Sequence, residues 1–187
     1  ERDGTRQVLI TSGTATSAQV IARRAGANLR HQYAPADAPA WARRFLAHWR
    51  PDLAVFTESE LWPNLILETK ASGVPLALAN ARMNEKSLTG WRRWPHSAKA
   101  LLSAFDWIGA ADGDTADGLE YLLDAPVART GNVKLEAGLP DPDPASLAAA
   151  RTVLGARPVF TAASTHAGED GIVIDAHARL LKDRPDA

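Results

Sequence analysis

Glu58-Ser59-Glu60-Leu61-Trp62-Pro63-Asn64 stands between an apolar run, Leu53-Ala54-Val55-Phe56-Thr57, and the pattern Leu65-Ile66-Leu67-Glu68. The run reads as a buried strand and the pattern as the opening turns of a helix. Pro63 suits the first helical position, where a missing N–H costs nothing. The two carboxylates therefore sit at the C-terminal edge of a strand, which is where open α/β sheets bind ligands. If both residues are extended, Glu58 and Glu60 share a face, because side chains two apart point the same way. Two like charges so close raise one pKa, which suits acid–base work. The competing reading is a solvated turn with two surface carboxylates.

The same strand–turn–helix unit recurs on either side. Upstream, Gln7 to Thr11 reads as a strand, followed by the hydroxyl-rich Ser12-Gly13-Thr14-Ala15-Thr16-Ser17. Ser17 is placed to cap a helix through Ala25, with Gly26 past its end. Free N–H groups at such a helix start suit an anion, but the segment has neither G-x-G-x-x-G nor a P-loop lysine. A short strand is expected over Asn28 to Tyr33 and a helix from about Ala40 to Trp49. That helix carries Trp41, Phe45, Leu46 and Trp49 at core spacing.

Downstream, the helix opened by Pro63 ends at Gly73, and Pro75 to Ala79 reads as another buried strand. The polar cluster Asn80 to Ser87 leaves its end. Arg82 there can fork onto a carboxylate or phosphate, or pair with Glu58 or Glu60 to hold a loop. Trp91-Arg92-Arg93-Trp94-Pro95-His96 precedes a helix to about Phe105. Trp107 to Ala111 is a strand, and Asp112 or Asp114 caps a helix through Leu123. Val127 to Thr130 is the next strand, and Gly131-Asn132-Val133-Lys134 presents a further charge at the same sheet edge. Leu139 to Pro144 has three prolines in six residues and reads as a linker. A helix over Ala145 to Leu154 and a strand over Pro158 to Ala163 follow. Ser164-Thr165-His166-Ala167-Gly168-Glu169 then turns into a last helix, repeating the anion-site pattern of the first unit.

The β-α-β-α alternation predicts a parallel sheet with helices on both faces. Residues 1–138 make one nearly complete domain, 139–144 a linker, and 145–187 the start of another. The 187 residues hold no cysteine, which excludes disulfides and thiolate metal sites. Net charge is −1, yet residues 1–100 carry 14 Lys/Arg against 8 Asp/Glu, and residues 101–187 carry 7 against 14. The basic half also holds five of the six tryptophans. Basic and aromatic composition suits an anionic substrate or membrane face. A pI near 6.6 and the lack of any recognisable module argue against nucleic acid. The chain begins with Glu1 rather than Met, as an excised piece would.

Four motifs in order — Glu58 to Asn64, Asn80-Ala81-Arg82, Gly131 to Lys134, and Ala163-Ser164-Thr165-His166 with Gly168-Glu169 — resemble those of 3-deoxy-D-manno-octulosonic acid (Kdo) transferases specific for lipid A. Asn84 departs from the family's usual Ser, Val133 from Leu, and Leu135-Glu136 from Phe-Asp. The resemblance implies a GT-B glycosyltransferase, with two Rossmann-like domains facing across the active site. It implies Kdo transfer from CMP-Kdo to lipid A or its precursor in lipopolysaccharide core biosynthesis, inverting and independent of metal or cofactor. It also implies peripheral contact with an anionic membrane, at the cytoplasmic face of the bacterial inner membrane.

Carried over residue by residue, Glu58 and Lys134 are the catalytic candidates, supporting an oxocarbenium-like sugar and an anionic phosphate. Glu60 and Arg82 are candidate orienting and substrate-binding residues. Ser164, Thr165 and His166 are candidate donor contacts. The family's general base is a glutamate expected upstream of residue 1, so the isolated piece is expected to be inactive. Two other readings compete with the transferase. One is a non-catalytic fragment that binds an anionic lipid or sugar phosphate. The other is a glycosidase using Glu58 and Glu60, although such a pair must flank its sugar.

Overall fold

The computed structural model describes residues 6–24, 26–136, 138 and 141–185. By compactness the chain divides into two units, residues 1–137 and 138–187. The first is α/β throughout. Its elements are β1 (Val8–Ser12), α1 (Ala15–Arg24), β2 (Leu29–Tyr33), α2 (Pro39–Trp49), β3 (Ala54–Thr57), α3 (Pro63–Ala71) and β4 (Leu76–Ala81). Then come α4 (Glu85–Arg92), α5 (Pro95–Leu102), β5 (Trp107–Ala110), α6 (Gly113–Leu123), β6 (Ala128–Arg129) and a 3-10 helix, Val133–Glu136. Among the described residues every strand pairing is parallel. The expected α/β class with a parallel, helix-flanked arrangement is the one observed, but the strands divide between two sheets. β1 pairs with β2, and β3-β4-β5-β6 form the other sheet in that order.

The core lies under the four-stranded sheet. β4 is its most buried strand, with Leu76, Leu78 and Ala81 at 1% exposure or less. An interior strand of a parallel sheet is covered on both faces, hence its continuous apolar run. β3 reads almost as apolar in sequence but is an edge strand. Val55 remains exposed while Phe56 packs edge-on against Phe105. The expectation of a fully buried strand there is corrected by that edge position.

Helix starts follow local chemistry. Pro39, Pro63 and Pro95 open α2, α3 and α5. Side chains of Asn84, Asp112 and Asp143 accept from the backbone N–H three residues on, at 2.8 Å in each case. Asp112, not Asp114, is thus the cap of α6. At α1 the cap is Thr14 rather than Ser17, its hydroxyl accepting from Ser17 N–H at 3.2 Å. The expected helix end at Ala25 lies outside the described residues. α3 is capped from a distance: Asp37, in the loop before α2, accepts from Leu65 N–H at 2.8 Å and Asn64 N–H at 3.3 Å.

Two further expectations are corrected. Trp41 is 55% exposed, because Ala42 and Leu46 form the buried stripe of α2 and Trp41 stands about 100° off it. The polar cluster after β4 contains a helix, α4, anchored by the buried Leu88. α4 docks on α6 where Gly118 faces Leu88. A Cβ on Gly118 would meet the two Leu88 methyls at 2.5 and 2.6 Å. Gly118→Val is therefore expected to destabilise the protein by about 1–3 kcal/mol through overpacking. A denaturant midpoint equal to wild type would show that α4 is free to shift.

The second unit contains α7 (Pro144–Leu154) and α8 (Glu169–Asp183). Pro158 to Ala163 is not a strand. No strand is present among the unit's described residues to supply hydrogen-bond partners, and an apolar run without a partner cannot build a ladder. Leu139 and Pro140 of the expected linker lie outside the described residues.

Candidate functional site

The C-terminal edges of β3, β4, β5 and β6 bear Glu58, Arg82, Asp112 and the Gly131–Lys134 loop, one after each strand. Glu58 continues the ladder by one bond, its N–H donating to Ala79 C=O at 3.0 Å. Its backbone then turns left-handed, at φ 58°. That turn ends the two-residue alternation, so Glu58 and Glu60 do not share a face. Glu60 instead accepts from Trp62 Nε1 at 2.8 Å. Glu58 Oε1 stands 2.5 Å from Lys134 Nζ.

The electrostatics run opposite to the like-charge expectation. The Lys134 ammonium, first through its hydrogen bond and then through its charge, holds the Glu58 carboxyl below its ordinary 4.5. Partial desolvation opposes this, and the Arg82 charge adds to it. Arg82 acts through charge on Asp112 as well, whose carboxyl is lowered chiefly by the hydrogen bond from Thr115 N–H. The Arg82 carbonyl accepts from Ser59 Oγ, tying the β3 and β4 loops together. Glu58 and Lys134 remain open to water, with side chains 42% and 62% exposed.

A cleft of about 1020 Å³ opens between the end of β4, α4 and α6, with Ser59, Arg82, Leu88, Asp112, Gly118 and Tyr121 among its walls. Arg92 is engaged within the unit. It bonds Glu85 at 2.8 Å and lies 5.5 Å over the Tyr121 ring. Arg93 and Trp94 are exposed.

Ser164, Thr165 and His166 belong to the second unit and are all exposed. His166 N–H donates to Glu169 Oε2 at 2.7 Å, across the start of α8. With no strand before them, they do not repeat the strand–loop–helix geometry of the first unit.

Two contributors were missed by the residue-by-residue reading. Asn80 is 3% exposed, adopts φ 54°, and accepts from Val133 N–H at 3.1 Å. Asn132 accepts from Lys134 N–H at 3.1 Å. The available signal was asparagine itself at two strand ends, since asparagine tolerates the left-handed region and bonds nearby backbone.

A family model described as "3-Deoxy-D-manno-octulosonic-acid transferase (kdotransferase)" matches residues 1–137. A probable mitochondrial 3-deoxy-D-manno-octulosonic acid transferase of Arabidopsis thaliana is 33% identical over 96% of this chain and 42% of its own length. 3-deoxy-D-manno-octulosonic acid transferases of Haemophilus influenzae and Bordetella pertussis are 31% and 34% identical, each over 95% of this chain and 42% of their own. The chain thus spans well under half the length of these relatives. With a family model covering the whole first unit and these relatives aligned along nearly all of its residues, the chain belongs to the 3-deoxy-D-manno-octulosonic acid transferase family.

Proposed function

We propose that the full-length protein transfers Kdo from CMP-Kdo to lipid A or its precursor, with inversion and without metal or cofactor. The reading assigns residues 1–138 to the acceptor-side domain of a GT-B enzyme and residues 145–187 to the start of its donor side. The observation that carries it is the Glu58–Lys134 pair, at 2.5 Å on the sheet edge of a chain from this family.

In the reaction the bond from the sugar's anomeric carbon to the CMP phosphate breaks. A bond to the acceptor hydroxyl oxygen forms, CMP leaves, and the hydroxyl proton passes to a carboxylate base upstream of these residues. A fixed carboxylate stabilises the positive charge that develops on the sugar, and a fixed ammonium the negative charge on the phosphate. Lysine has three donors, so the one spent on Glu58 leaves two for substrate oxygens. Arg82 is the proposed second anion contact, and Glu60 a further proposed substrate contact. Ser164, Thr165 and His166 are proposed contacts to the donor.

The proposed peripheral membrane contact is supported by Trp41, Trp62 and Trp94, which are 55%, 47% and 70% exposed near the starts of α2, α3 and α5; the surface proposed is the cytoplasmic face of the inner membrane. Exposed indoles favour the level of lipid headgroups. Among the described residues no helix is long and apolar enough to cross a membrane.

The test is Kdo transfer by the full-length protein from CMP-Kdo to a lipid A precursor, with and without a chelator. One CMP released per sugar, unaffected by chelation, is expected. Product absent under all conditions would remove the reading. The alternative, lipid binding without turnover, is favoured for the 187 residues alone because they span only 42% of the relatives' length. It predicts vesicle binding by that piece and no CMP release.

A further inference from the structure

The strand order β3-β4-β5-β6 puts the ends of β3 and β6 three strand spacings apart, roughly 14 Å. Glu58 follows β3 and Lys134 follows β6, yet their charged atoms stand 2.5 Å apart. The chain after β6 closes that gap stepwise. Thr130 N–H is still on β5, donating to Ala110 C=O at 3.0 Å. Three residues later Val133 N–H is on β4, bound to the Asn80 side-chain carbonyl at 3.1 Å. The next residue, Lys134, reaches Glu58, the residue just after β3.

Both halves of the pair are therefore held by neighbouring residues of β4: Ala79 C=O takes the Glu58 N–H and Asn80 Oδ1 takes the Val133 N–H. We propose that Asn80 is the positioning residue for Lys134, its buried amide keeping the β6 loop folded across the strand ends so that the ammonium meets Glu58. The left-handed backbone at Asn80 accompanies that contact, and glycine, asparagine and aspartate are the residues that adopt it readily. Buried on β4, Asn80 touches the reaction only through the loop it holds. The consequence for catalysis rests on the transferase reading above; the geometric part does not.

The experiment compares Asn80→Gly, Asn80→Asp, Lys134→Ala and the Asn80→Gly/Lys134→Ala double variant in the full-length protein. Glycine keeps the backbone conformation and removes the acceptor; aspartate keeps both. Asn80→Gly is expected to lower kcat about 10²-fold, the scale of a misplaced catalytic group. The same change in the Lys134→Ala background is expected to cost less than about twofold, because the group it positions is already gone. Amide exchange in residues 131–136 should rise in Asn80→Gly and stay near wild type in Asn80→Asp, which should also keep most of the activity.

Equal losses in the two backgrounds, unchanged exchange in that segment, or a collapse of activity in a well-folded Asn80→Asp would each overturn the proposal. The aspartate variant and its exchange decide the matter even if the glycine variant does not fold. Wild-type transfer by Lys134→Ala would instead sink the site assignment, and the exchange data would still judge Asn80.

Discussion

Glu58→Gln in the full-length protein is expected to lower Kdo transfer by about 10²–10³-fold, the range seen when a preorganised group facing transition-state charge is lost. Glutamine preserves the shape and can still accept from the Lys134 ammonium, so the loop should stay in place and folding should be unaffected. What disappears is the negative charge that offsets a developing oxocarbenium. The pH dependence follows from the depressed carboxyl of Glu58. A carboxyl held below its ordinary 4.5 is predominantly charged at and above that pH, and both its ion pair and its catalytic charge are lost as pH falls through the lowered value. Any limb that Glu58 contributes to wild-type transfer should thus have its midpoint below pH 4.5. A Glu58→Gln enzyme at wild-type rate with a native melting profile would remove this residue from the chemistry.

Lys134→Ala should cost a similar factor, about 10²–10³-fold, with most of the effect in kcat if the ammonium chiefly meets charge that develops on the leaving phosphate. Stability should change little, because the pair is solvent-exposed and such pairs contribute about 0–1 kcal/mol. Lys134→Arg is not a conservative control: a planar fork cannot take the place of a compact ammonium with three rotatable donors. It should recover only part of the loss. The check is kcat and KM for both substrates beside a thermal melt; a purely KM effect would recast Lys134 as a binding contact made equally in ground and transition states.

Much of the architecture was legible because it depends on local signals. The strand–helix alternation, Pro63 opening α3 and the aspartate cap of α6 depend on periodicity and on side chains a few residues from the groups they satisfy. The failures share a cause as well. β3 has an interior strand's composition and an edge strand's exposure, because burial depends on how many neighbours a strand has. Pro158 to Ala163 has the apolar run of a strand without a strand to pair with. α4 does not stand out from the polar cluster in the sequence, because Leu88 is its one buried residue and its docking partner, α6, lies far along the chain.

Residue types and order alone determined the α/β class, the family, and which ionisable groups leave the ends of successive strands. Those are properties of nearest neighbours and of recurring motifs. Only the tertiary structure decided that Glu58 turns from Glu60 toward Lys134, that Asp37 caps a helix more than twenty residues away, and that Asn80 is buried beneath the loop it holds. Each of these is a contact between segments distant in sequence. Its geometry is set by strand order and by left-handed residues at strand ends, and neither quantity is written in the spacing of side chains along one element.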